Sequence, residues 1–101
     1  MDTGLVEDID YNGLPLACCR DSMRLYIENG YDPGSSMYAV LIGDLWGASG
    51  RLDDNHWEHL KETMRWIYNE PPSYIWGNRE RVDTWIADGG YSGRKQAATK
   101  A

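Results

Sequence analysis

The stretch DDNHWEHLKETMRWIYNEPPSYIWGN, residues 53–78, decides the fold class. Trp57, Leu60, Met64, Ile67 and Tyr68 recur at spacings of 3, 4, 3 and 1, which gathers them on one face of a helix. Asp53 or Asp54 is placed to cap its start. Glu58, Lys61, Glu62 and Arg65 make the polar face, where the i,i+3 pairs Glu58–Lys61 and Glu62–Arg65 offset the like-charge i,i+4 pairs. Pro71 and Pro72 stop the helix, because the residue before a proline is driven out of helical geometry. The pattern predicts a helix over 54–69 with Trp57 in the core.

Two further helices precede it. Pro15 suits a first helical turn, and Leu16, Cys19, Met23, Tyr26 and Ile27 repeat the 3, 4, 3, 1 spacing before Gly30 ends the run. Asp32-Pro33-Gly34 is turn chemistry, after which Ser35 or Ser36 is a competent N-cap. Residues 37–48 are apolar nearly all round, and Met37, Val40, Leu41 and Leu45 favour one buried helix over a strand. Beyond the aromatic loop, Asn78 caps a short helix whose Val82, Trp85 and Ile86 face inward until Gly89-Gly90. The reading is an all-α domain: three main helices over 15–29, 36–48 and 54–69, and a short fourth over 79–87. Tyr74, Ile75 and Trp76 plug one end of the bundle. Residues 1–14 read as an arm with Leu5, Val6 or Ile9 tucked onto the body, residues 15–90 as the domain, and 91–101 as a mobile tail.

Composition narrows the function classes. The 101 residues carry sixteen carboxylates against ten Lys and Arg, a net charge of −6. Through residue 89 there are seven basic groups, so 7 − 16 gives −9 for the body. Such a surface is repelled by nucleic-acid phosphate and anionic lipid and attracted to basic surfaces. Cys18 and Cys19 are adjacent and cannot bridge each other in a helix. Free thiols and the acidic opening MDTGLVEDID predict a reducing cytosol, and no apolar run approaches the ~20 residues of a membrane span.

Chemistry-bearing patterns are sparse. Asp53, His56 and His59 stand at successive i,i+3 steps, the one candidate for a zinc or nickel site. The set lacks the His-Glu-x-x-His order and Asp53 is needed as a cap, so no metal and no cofactor are expected. Cys19 belongs to the apolar stripe, GSS and GASGR lack the phosphate-loop lysine, and no carboxylate pair is singled out as a general acid. Asp44, on the most apolar helix, is expected as a buried carboxylate in a structural ion pair or hydrogen bond with Arg51 or a backbone N–H, the alternative being an exposed or helix-capping role.

Tyr26, Ile27, Glu28 and Gly30, then Pro33 to Ser35, Asp44-Leu45, Arg51 and Asp53, Tyr68 to Glu70, Pro72-Ser73 and Trp76-Gly77 form an ordered set. It resembles a family of small tailed-phage proteins, over about residues 26–88, departing from it at Gly43 and Leu52. The resemblance implies a phage origin and a helical domain, and no activity. The leading expectation is a non-catalytic binding protein acting in the host cytoplasm. It would occupy a host protein or protein–nucleic-acid complex with a basic surface, most concretely as an anti-CRISPR-like inhibitor of a defence complex. It would bind neither nucleic acid directly nor membrane. Its contact surface would draw on Glu58, Glu62, Glu70, Tyr74, Trp76, Glu80 and Asp83. The alternatives are a small metal-dependent enzyme at the His56/His59 stripe and a phage structural or assembly accessory.

Overall fold

In the computed structural model, residues 9–52 and 54–100 are described, apart from the side chains of 55, 56 and 97–100. The chain is all-α among these residues. Its helices are α1 (Ala17–Asn29), α2 (Ser35–Ile42), α3 (Leu45–Arg51), α4 (Asp54–Glu58), α5 (Leu60–Asn69), α6 (Arg79–Ala87) and α7 (Gly90–Lys100). Short 3-10 turns at Tyr11–Gly13 and Ser73–Ile75 complete the framework.

The predicted stripe of α1 holds: Cys19, Met23, Tyr26 and Ile27 are buried. The helix starts two residues later than expected, because Leu16 stays extended (φ −110°, ψ 132°) and leaves Pro15 outside. Gly30 ends it at φ 70°, accepting the left-handed geometry at no steric cost while its N–H donates to the Tyr26 carbonyl.

Three expectations about helix extent need correction. The single helix over 36–48 is two. Gly43 takes φ 80° and ends α2, and Asp44 then caps α3 with its carboxylate, accepting the Gly47 N–H at 2.9 Å. The expected serine cap is absent at the other end, where Gly34 precedes Ser35 and no side chain caps α2. The helix over 54–69 is also divided, at His59, whose carbonyl accepts from both the N–H and the hydroxyl of Thr63. Finally, the expected tail forms α7, which packs on α1 and α6. Of the arm, Leu5 and Val6 lie outside the described residues. Ile9 packs against the core, and Tyr11 and Leu14 are part of it.

The core is held by burial and by indole and phenol hydrogen bonds that satisfy backbone carbonyls. Tyr26 donates its hydroxyl to the Ile75 carbonyl at 2.5 Å, and Trp85 Nε1 donates to the Tyr26 carbonyl at 3.0 Å. These two bonds tie α1 to the aromatic loop and to α6. Burial of large aromatics removes roughly 150–250 Å² each from water, and the polar tips of Tyr26, Trp66 and Trp85 find partners, whereas the buried Tyr11 hydroxyl has none among the described residues. Ile75 is fully buried at the plug position, whereas Tyr74 and Trp76 are half-buried around it.

The inward face of α5 differs from the expected one. Thr63, Trp66 and Ile67 are buried, with Trp66 only 5% exposed, while Trp57 is 48% exposed and Met64 and Tyr68 face solvent. The helix carries two adjacent apolar stripes, and the core takes the one centred on Trp66. Its Nε1 donates to the Asp10 carbonyl at 2.8 Å and its ring lies 5.8 Å from that of Tyr11. Docking of the N-terminal residues thus fixes the rotation of α5.

Candidate functional site: an apolar groove between α2, α3 and α5

The break at Gly43-Asp44 has a surface consequence. In a continuous helix Leu45 would extend the Met37–Leu41 stripe, since residues four apart share a face. Turned at Gly43, α3 instead leaves Leu45 61% and Trp46 87% exposed. Leu45 lines a groove of about 210 Å³ together with Ala39, Val40, Gly43, Asp44, Ala48, Leu60 and Met64. Its walls are apolar except for the Asp44 carboxylate. That carboxylate is half-buried and spends Oδ1 on the α3 cap, so Asp44 takes the helix-capping role rather than that of a buried, paired carboxylate. Arg51 donates from Nη1 to the Gly47 carbonyl at 3.1 Å.

The second stripe of α5 continues this face. Met64 and Tyr68 are exposed, and the Tyr68 ring lies 5.9 Å from Trp76. Exposed apolar side chains that adjoin one another, as Leu45 and Met64 do around the groove, are a feature of contact sites. The sequence held one signal for it. Trp46 and Trp66 both fall off the stripes assigned to their helices, so each helix carries more large apolar surface than one face accommodates.

The residues expected at a partner surface separate into two groups. Glu58 and Glu62 are exposed on α4 and α5, and Glu80 is exposed on α6. The others make internal contacts. Glu70 accepts the Asp10 N–H at 3.3 Å. Tyr74 meets Trp85 edge-on at 5.8 Å, under the Arg94 guanidinium. Trp76 Nε1 donates to the Pro71 carbonyl at 3.3 Å, and Asp83 accepts the Tyr38 hydroxyl at 2.6 Å. That hydrogen bond to Asp83 raises the Tyr38 phenol pKa, and Arg79 donates to the same oxygen at 3.1 Å.

Of the metal candidates, Asp53 and the side chain of His56 lie outside the described residues, and His59 is half-buried at the α4–α5 break. No group of three or more possible metal ligands occurs among the described residues. Cys18 is exposed and Cys19 is buried. No described helix is long and apolar enough to cross a membrane. Comparison with family models, with curated proteins and with solved structures finds no match for the chain.

Proposed function

We infer that this chain is a non-catalytic binding protein whose contact surface is the face formed by α3 and the outer stripe of α5. The observation that carries the reading is Trp46, 87% exposed on α3, the helix whose Leu45 and Ala48 line an apolar groove. A tryptophan left in water forgoes the largest burial any side chain offers, and tryptophans at contact surfaces are where binding energy concentrates. The expected loop surface contributes less, because Tyr74 and Trp76 are engaged with the body.

Together with the resemblance to tailed-phage proteins and the acidic body, this supports occupancy of a host macromolecule in the host cytoplasm. An inhibitor of a bacterial defence complex is the concrete form. The test is photo-crosslinking in infected host cells from a benzoylphenylalanine placed at residue 46, 57 or 68. A defence or transcription complex crosslinked from these positions, and not from residue 21 on the opposite helix, supports the reading. Crosslinks only to phage structural proteins, or to nothing, overturn it.

A further inference from the structure

We propose that Arg94 is the internal occupant of a guanidinium site, and that the same site takes an arginine side chain of a basic partner when α7 lifts. The site is built on α6, α7 and the aromatic loop, and it stands independently of the face inferred above. Three groups make the seat. The Arg94 guanidinium carbon lies 4.8 Å from the centre of the Trp85 ring and 5.4 Å from that of Tyr74. Those two rings meet edge-on at 5.8 Å, so they form the walls of a corner rather than a flat stack. Asp88 supplies the third side, its Oδ2 accepting from Arg94 Nε at 2.9 Å. Aromatic faces attract cations through their ring quadrupoles, and aromatic cages bind cationic ligands on that basis. The carboxylate adds selection. A guanidinium stacks on rings while donating from its edge, whereas an ammonium is a compact, strongly hydrated charge and a quaternary ammonium has no N–H at all.

The hold of Arg94 on this seat is open to competition. Gly90, the first residue of α7, is buried, but among residues 91–96 only Tyr91 packs against the core, and it is half-buried. Gly93 lies inside the helix, where glycine lowers helical stability, and a helix of this length is marginal in water on its own. Beyond Gly90 the described part of α7 is therefore held more by the contacts of Arg94 than by apolar burial, the signature of a segment that opens locally. The Arg94 and Asp88 side chains are 36% and 42% exposed, so their ion pair is of the weak, solvent-screened kind and the seat is reachable from outside. The body through residue 89, at −9, draws basic surfaces toward it. A tethered arginine competes at an effective concentration on the order of millimolar, so an external one displaces it when presented on a surface that gains further contacts.

The test uses the full chain, with N-acetylarginine amide as probe and its uncharged citrulline counterpart as control, followed by NMR at the Trp85 indole N–H. Arg94→Ala vacates the seat. It should bind the arginine probe at least about tenfold more tightly than the parent, because the internal competitor is gone, and should ignore the citrulline probe. Adding Asp88→Asn should abolish that gain. If Arg94→Ala does not fold, the parent decides: amide exchange at residues 93–96 should quicken in the arginine probe relative to sodium chloride at matched ionic strength, while Val82 and Trp85 stay protected. Equal binding of the two probes, no binding, equal affinity of parent and Arg94→Ala, or exchange that responds to sodium chloride as strongly as to arginine overturns the proposal and leaves Arg94 a structural latch only.

Discussion

Gly30 and Gly90 meet backbone to backbone where the end of α1 crosses the start of α7. A Cβ on Gly30 would lie 2.5 Å from the Gly90 nitrogen, and both residues have positive φ, 70° and 67°. Neither position tolerates a side chain, for steric and for conformational reasons together. Gly30→Ala and Gly90→Ala should each cost about 2–4 kcal/mol, combining left-handed strain with overpacking. Gly43→Ala is the control. It has φ 80° in the same left-handed region, and its Cβ meets only the Gly77 carbonyl at an ordinary 3.6 Å, so only the backbone term, about 1–2 kcal/mol, remains. Urea melts that rank Gly43→Ala level with the other two would show that the crossing is not tight.

The two tryptophans of the third predicted helix should behave oppositely. Trp66→Ala removes a buried indole and its hydrogen bond to Asp10, and should cost about 3–5 kcal/mol. Trp57→Ala, at a half-exposed position, should cost about 1 kcal/mol or less. Thermal melts of the two variants decide it, and the reverse order would mean that α5 faces the core with its other stripe.

That pair shows where the sequence was legible. Helix content, the buried stripe of α1, the Asn78 cap on α6 and the double-proline stop all follow from local chemistry, and all are present. The rotation of α5 was not legible, because Trp57-Leu60-Met64 and Thr63-Trp66-Ile67 are both acceptable inward stripes. The choice is made by Asp10 and Tyr11, more than fifty residues away in the chain. Nor was α7 legible, since Gly90–Lys100 has no apolar periodicity. It docks by a glycine crossing and by Arg94, which pairs with Asp88 at 2.9 Å and lies 4.8 Å from the Trp85 ring. The groove was hidden for the same reason as the break that creates it: an apolar run with two glycines reads equally as one helix or two.

Alkaline pH should expose the buried phenols. Desolvation by burial raises the pKa of Tyr11 and of Tyr26 well above the ordinary phenol value of about 10. For an acid whose folded pKa is raised, the unfolded chain releases the proton first, so stability is full below pH ~10 and falls as pH climbs above it. Stability measured by urea should therefore decline beyond pH ~10. In Tyr26→Phe that decline should be shallower, on a baseline lowered by about 1–3 kcal/mol because the Ile75 carbonyl is left buried without its donor. An unaltered alkaline slope in that variant would contradict a buried Tyr26.

The last prediction concerns the Gly43-Asp44 break that opens the groove. Asp44→Ala deletes the bond to the Gly47 N–H and should cost about 1 kcal/mol, whereas Asp44→Ser keeps a capping oxygen and should cost less. Gly43→Ala meets only the Gly77 carbonyl, at an ordinary 3.6 Å, so its cost is the left-handed backbone, about 1–2 kcal/mol. The double variant asks whether these two residues alone enforce the break. A continuous helix would need the Leu41 carbonyl to accept the Leu45 N–H, but that carbonyl already accepts the Gly77 N–H at 2.7 Å. The aromatic loop therefore holds the break open from outside. Gly43→Ala, Asp44→Ala should lose about the sum of the single costs, with no gain in ellipticity at the helical minimum and faster exchange of the Gly47 amide. A double variant that is more helical than the parent, and less destabilised than either single change, would show that α2 and α3 fuse once the local signals are gone.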